Sequence, residues 1–194
     1  MFIYPERKLI FIRPSKVAST TMLEALGRGV GSIDSVYWWK HWPAKHCMHC
    51  TTPEIWSTYK KFSMMRCPFD YLVSMYRARM RKENFLPSFI ADPAETEQES
   101  FERFVMSEGT KRPFALADYF CDDDHNELVD FVIRQDNLQP DFNHMMDSIG
   151  QPRIKLGHHN SANNTDYRSI YTPKAKAAAE ERFGWMIDKY GYEF

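Results

Sequence analysis

Two groups of residues in this 194-residue chain have the types and spacing for anion chemistry. The first is Lys16-Val17-Ala18-Ser19-Thr20-Thr21. Lys16 brings a mobile positive charge, Thr20 and Thr21 bring hydroxyl donors, and the small side chains of Ala18 and Ser19 let backbone amides approach an oxyanion closely. The second is Arg66 with Ser74, a forked set of N–H donors and a hydroxyl that can meet on one phosphate. Histidines supply the proton chemistry. His49, with His46 and His41 behind it, is the candidate, since the unperturbed imidazole of the residue type, with a pKa of about 6.5, suits a base for a poorly nucleophilic alcohol.

Each group needs elements to position it. Leu9-Ile10-Phe11-Ile12 is a short apolar run with the character of a buried parallel strand. Met22, Leu23 and Leu26 then follow helical spacing until Gly27, Gly29 and Gly31, so the order is strand, tight loop, helix. In that order the unpaired N–H groups of the first helical turn face the loop with the positive end of the helix dipole behind them. The competing reading is an ordinary capped helix after a strand. Phe62-Ser63-Met64-Met65 repeats the strand signal, with Arg66 at its carboxyl end and Pro68 at a favoured first helical position. Helical spacing places Asp70, Ser74, Arg77 and Arg81 on one stripe, opposite Leu72, Met75 and Tyr76. Here the competing reading is a solvated helix face with Arg66 in a structural ion pair.

In this order the two segments resemble the carbohydrate sulfotransferases that use 3′-phosphoadenosine 5′-phosphosulfate (PAPS), the heparan 2-O- and chondroitin type. Residues 16–21 are similar to that family's Lys-Thr-Ala-Ser-Thr-Ser loop, and residues 66–77 to its Arg-Asn-Pro-Tyr-Asp-Arg-Leu-Val-Ser-x-Tyr-Arg segment. Phe131-Val132-Ile133-Arg134-Gln135-Asp136-Asn137-Leu138, followed by Asp141-Phe142, resembles a family strand ending in Arg-x-Glu-Asn-Leu and the helix behind it. Asn160-Ser161, Tyr167-Arg168 and Tyr171 resemble the loop that closes over the nucleotide. Three positions depart from the pattern: Ser15 separates Pro14 from Lys16, Cys67 stands for Asn or Asp, and Tyr71 stands for Arg.

The resemblance implies an α/β chain with a P-loop-NTPase-like three-layer fold, its central parallel sheet flanked by helices, and residues 1–194 forming one sulfotransferase domain. It implies in-line transfer of a sulfuryl group from PAPS to a hydroxyl of a carbohydrate-type acceptor. Residues Lys16, Val17, Ala18, Ser19, Thr20 and Thr21 then hold the 5′-phosphosulfate, Arg66 and Ser74 the 3′-phosphate, and Asn160, Ser161 and Tyr167 close over the donor. Lys16 stabilises the departing oxygen. His49 is the expected base, because its spacing to Glu54 and Ile55 resembles a His-Ala-Thr-x-x-Glu-Ile segment of several carbohydrate sulfotransferases; His46 and His41 are the alternatives. The scheme requires no metal. A P-loop-type ATP-dependent small-molecule or sugar kinase would share the strand, loop and helix, yet the glycines of Gly-x-x-x-x-Gly-Lys-Ser/Thr are missing around Lys16. A non-catalytic nucleotide- or glycan-binding module would keep Arg66 and Ser74 without needing a base.

Composition bounds these readings. A chain that is 43% hydrophobic and 15% aromatic can bury one sizeable core and is not a disordered linker. A formal net charge of −1 supplies no global field for nucleic acid, so any anion site is local. No stretch reaches the roughly 18 apolar residues of a membrane span, and the first strand leaves no room for a signal peptide, so a cytoplasmic location is expected. Cys47, Cys50, Cys67 and Cys121 are too few for a disulfide framework and are expected as thiols. His46-Cys47-Met48-His49-Cys50 has zinc-like spacing but lacks a second ligand pair, and no metal site is expected. Trp38, Trp39 and Trp42 are either core or platforms for sugar faces. A helix is expected at 53–59, short helices covering the acceptor cleft at about 85–124, and a last helix from Pro173 to Gly191 with Ala179, Phe183, Met186, Ile187 and Tyr190 on its packed face.

Overall fold

The computed structural model of the chain describes residues 1–27, 41–80, 95–107, 116–157 and 166–194. Gly29, Gly31, Trp38, Trp39, Arg81, Asn160 and Ser161, and the segments 85–94 and 108–115 of the expected acceptor-covering region, lie outside these residues. The protein is α/β, and it divides into two compact units: Met1–Arg66 with Leu116–Ser161, and Cys67–Ala115 with Ala162–Phe194.

The first unit is built on a four-stranded mixed sheet in the order β1 (Phe2–Tyr4), β2 (Leu9–Phe11), β3 (Lys60–Met65), β4 (Phe131–Arg134). The expected parallel sheet holds for β2–β3 and β3–β4, but β1 pairs antiparallel with β2. This edge strand follows from local chain geometry. A tight turn at Pro5–Arg7, closed by Lys8 in the left-handed region (φ 48°), reverses the chain in too few residues for a parallel crossover. β2 is wholly buried, as its apolar run demands. The register aligns Phe2, Phe11, Phe62 and Phe131 as one row across the four strands. Phe11 and Phe62 stack at 4.5 Å between centroids, the kind of cross-strand aromatic pair that ties neighbouring strands together.

Buried Ser63 sits among apolar neighbours at no cost in unsatisfied polarity, because its Oγ donates to the Ile12 carbonyl at 3.0 Å. The Ile12 amide donates to the Phe62 carbonyl at 2.9 Å, so pairing continues one residue past β2. At the amino edge, Asp130 closes the β3–β4 ladder. Its amide donates to the Lys61 carbonyl at 2.8 Å, its Oδ2 accepts the Lys61 amide at 2.8 Å, and its Oδ1 meets Lys60 Nζ at 3.1 Å. At the carboxyl edge, the Arg134 amide donates to Asp141 Oδ2 at 2.8 Å and Asn137 Nδ2 donates to Oδ1 at 2.6 Å. Together these bonds hold the turn into a helix at Leu138–Ser148, which packs on β4 through buried Phe142, Met145 and Met146.

That helix is α6 (Leu138–Ser148), and three more α-helices of this unit lie among the described residues: α1 (Ser19–Leu26), α2 (Ala44–Cys47) and α3 (Pro53–Thr58). α3 ends one residue before the expected 53–59 span, and neither β1 nor α2 is announced by the periodicity of so few residues.

The second unit is helical: α4 (Pro68–Met80), α5 (Glu97–Met106) and α7 (Pro173–Tyr190). Thr96 and Glu99 form a capping box on α5, Thr172 caps α7 through the Ala175 amide, and Gly191 ends α7 at φ 64°. Ala179, Phe183 and Met186 are buried as their spacing requires, and Ile187 and Tyr190 are half-buried. The core is aromatic. Phe101 meets Tyr171 at 4.8 Å and Tyr76 at 5.4 Å, and the buried Tyr171 hydroxyl donates to the Phe69 carbonyl at 2.9 Å. Burial pushes the Tyr171 phenol far above its ordinary pKa, so it stays a donor. α4 buries Pro68, Phe69, Tyr71, Leu72, Val73 and Tyr76, a wider face than the expected stripe, with Met75 only half-buried.

Asp130 defines a pH prediction. Burial raises its carboxyl pKa, but the Lys61 amide and the Lys60 and Lys61 ammonium groups outweigh that, and the pKa ends below the ordinary value. A depressed carboxylate contributes stability above its unfolded pKa of about 3.9 and loses it as pH falls through the folded value. Asp130→Ala is therefore expected to cost about 1–3 kcal/mol at neutral pH in urea unfolding, and the gap to the native chain should narrow below about pH 4.

Candidate functional site

Because β2, β3 and β4 are parallel, their carboxyl ends leave the sheet at one edge: β2 into Arg13–Ala18, β3 into Arg66, β4 into Arg134. In open α/β sheets that edge is where ligands bind. Within the first unit it collects three arginines and one lysine.

The loop between β2 and α1 has an unusual backbone. Lys16 and Ala18 adopt left-handed conformations, at φ 64° and 60°, while Val17 between them does not. Alternation of this kind turns successive N–H groups toward one side and makes an anion-binding concavity. Each left-handed non-glycine residue costs about 1–2 kcal/mol, which the surroundings must offset. Val17 does so by full burial, and Arg66 by donating from Nη1 to the Lys16 carbonyl at 3.2 Å. Arg66 is itself only 8% exposed. The sequence placed Arg66 and Lys16 in separate motifs; the sheet brings them to one hydrogen bond.

The helix behind the loop is open at its amino end. α1 has no side-chain cap, in contrast to α3, α5 and α7, each capped by a threonine hydroxyl. α2 and α6 also lack a side-chain cap, and at α1 the Thr21 amide is satisfied by the Ala18 carbonyl at 3.0 Å. Ser19 and Thr21 are buried, whereas Thr20 and Lys16 are exposed. Both ends of α1 are held. Arg13 Nε donates to Ser19 Oγ at 3.0 Å, and at the far end the Tyr4 hydroxyl donates to the Gly27 carbonyl at 3.1 Å and Arg7 Nη1 to the Leu26 carbonyl at 3.0 Å. Burial pushes the Tyr4 phenol up to about 12, so that donor persists across the physiological range.

The histidines differ in placement. His49 is exposed on the 3-10 turn Met48–Cys50, and His46 is exposed with its ring edge-on to half-buried Trp42 at 5.6 Å. His41 is half-buried, and its Nδ1 lies 3.1 Å from the Arg13 carbonyl. A carbonyl only accepts, so Nδ1 carries a proton toward it, and this bond fixes the direction of the ring. The sequence motifs favoured His49, with His46 and His41 as alternatives, and gave no place to Arg13. The signal for Arg13 was its position at a strand end, the same position that marked Arg66.

Ser74 and Tyr167 belong to the second unit. Ser74 is half-buried on α4, together with Asp70 and Arg77. Cys67 Sγ donates to the Tyr167 hydroxyl at 3.7 Å, and the Arg168 guanidinium lies 4.6 Å above the Tyr167 ring. Burial first and the Cys67 contact second push the Tyr167 phenol up to about 12. Arg134 is engaged by Asp136 at 2.7 Å. All four cysteines are thiols, and buried Cys47 is pushed up to about 11 by desolvation. Among the described residues no three His, Cys, Asp or Glu side chains are grouped to hold a metal ion, and no helix is long and apolar enough to cross a membrane.

Comparison with known protein families, curated proteins and solved structures finds no match to this chain.

The left-handed loop predicts a substitution pattern at Ala18. Ala18→Gly removes the Cβ penalty and is expected to leave stability within about 1 kcal/mol of the native chain, while Ala18→Val should lose roughly 1–2 kcal/mol. Equal melting temperatures for the two variants would contradict this account of the loop.

Proposed function

We propose that the chain is a PAPS-dependent sulfotransferase acting on a hydroxyl of a carbohydrate-type acceptor, its sheet being the middle layer of a P-loop-like three-layer fold. One observation carries the reading: the Arg66 guanidinium bonds the carbonyl of Lys16. That bond joins the two motifs on which the resemblance rests at the carboxyl edge of one sheet. The alternating backbone of residues 16–18 and the uncapped start of α1 support an anion in the loop, and the motif assigns it the 5′-phosphosulfate.

In this mechanism the protein's task is positioning and charge stabilisation rather than covalent chemistry. The amides following Lys16, with the hydroxyls of Ser19, Thr20 and Thr21, hold the sulfuryl donor in line with the acceptor oxygen. As the sulfur–oxygen bond to the bisphosphate breaks, the exposed Lys16 ammonium reaches the bridging oxygen that gains the charge. Arg66 holds the loop through its carbonyl and takes the 3′-phosphate role that its motif gives it. Ser74 and Tyr167 keep the nucleotide-contacting roles assigned by their motifs. A histidine accepts the acceptor's proton as the new sulfur–oxygen bond forms. Motif spacing assigns that task to His49. The bond from His41 Nδ1 to the Arg13 carbonyl favours His41 as a second reading, since it orients the imidazole beside the loop.

Two measurements test the proposal. Adenosine 3′,5′-bisphosphate should raise the melting temperature more than ATP does, and a clear preference for ATP would favour the kinase reading. Arg66→Ala should weaken the bisphosphate far more than an analogue lacking the 3′-phosphate; equal losses would remove that assignment. For the base, His49→Ala and His41→Ala separate the two histidines. The variant lacking the base should lose about 10²–10⁴ in turnover of PAPS with nucleotide affinity nearly unchanged, while the other stays near native rates.

A further inference from the structure

We infer that Arg13 is the positioning residue of the anion loop and works through the hydroxyl of Ser19, an inference that rests on the reading of residues 16–21 as the donor-binding loop. Arg13 leaves the sheet at the carboxyl end of β2 and reaches across residues 14–18 to donate from Nε to Ser19 Oγ at 3.0 Å. A guanidinium has donors only, so the serine oxygen must accept, and its single hydrogen is directed away from Arg13. Ser19 is 5% exposed and opens α1, so that hydrogen is not spent on bulk water. Among the described residues it has no acceptor of its own.

A hydroxyl that accepts from a cation becomes a better donor, because the two hydrogen bonds polarise one another. Arg13 thus presents Ser19 as a fixed, polarised donor at the amino end of α1, where an oxyanion would sit. The same residue is anchored on two other sides. Its guanidinium lies 5.9 Å from the centre of the Phe2 ring, and its carbonyl accepts from His41 Nδ1. The β1 edge strand therefore has a role in the site: it supplies the aromatic face against which Arg13 rests.

A double-mutant cycle tests the coupling. Affinities for adenosine 3′,5′-bisphosphate and for inorganic pyrophosphate are measured by calorimetry on the native chain, Arg13→Ala, Ser19→Ala and the double variant. Each single substitution is expected to weaken both ligands about tenfold, with the double variant no weaker than either single one. Arg13→Lys, which keeps a cationic donor, should recover part of the loss and covers the case in which Arg13→Ala folds poorly. Losses that multiply in the double variant, or no rescue by lysine, would overturn the coupling. Failure of the native chain to bind either anion would overturn it as well. A chain that binds pyrophosphate with intact coupling yet prefers ATP to the bisphosphate would retain the Arg13 inference and lose the sulfotransferase reading.

Discussion

The site depends on parallel pairing between β2 and β3, because only that arrangement sends both strands toward one edge and lets Arg66 reach the carbonyl of Lys16. The guanidinium is almost wholly buried, and a buried charge is tolerated only where its donors are met. The loop carbonyl meets one of them. In return, the bond stabilises a backbone with two left-handed residues whose combined cost is about 2–4 kcal/mol. A charge-assisted hydrogen bond contributes about 1.5–3 kcal/mol, so Arg66 together with Arg13 is sufficient to hold the loop in this form before any ligand arrives. On the proposed reading, an anion entering this loop would not first have to order it.

The rest of the first unit keeps that edge rigid. Asp130 locks the opposite edge of the ladder, the Phe2, Phe11, Phe62 and Phe131 row sets the register, and Ser63 closes the place where β2 ends. α1 is pinned at one end by Arg13 and at the other by Tyr4 and Arg7, so the short β1 hairpin holds both the helix and the arginine that contacts its first residue. In the second unit, packing is dominated by rings around Tyr171, whose hydroxyl is satisfied inside the core. Rigid aromatic packing of that sort orders α4, the helix that carries Ser74.

The functional reading draws on two kinds of support. The proposed donor and the proposed roles of Ser74, Tyr167 and His49 rest on motif order alone. Geometry supplies the convergence of Lys16 and Arg66, the open helix end, and an oriented His41. Where the two disagree, at the histidine, the reason is physical: a motif records spacing along the chain, whereas the tautomer and direction of an imidazole depend on which carbonyl it meets.

Much of the architecture was legible along the chain. The apolar runs at Leu9 and Phe62, Pro53, Pro68 and Pro173 at helix starts, and Gly191 after the last helix are local signals, and the corresponding elements form within a residue or two of their expected bounds. The proposal of anion chemistry at 16–21 and 66 has the same local basis: charge and hydrogen-bonding capacity belong to the side chain wherever it lies. Tertiary structure alone decided the antiparallel β1, the left-handed backbone at Lys16 and Ala18, and the parts played by Arg13 and His41. Each of these depends on partners distant in the chain or on a backbone that no glycine announces, and neither is recorded in the periodicity of a single segment.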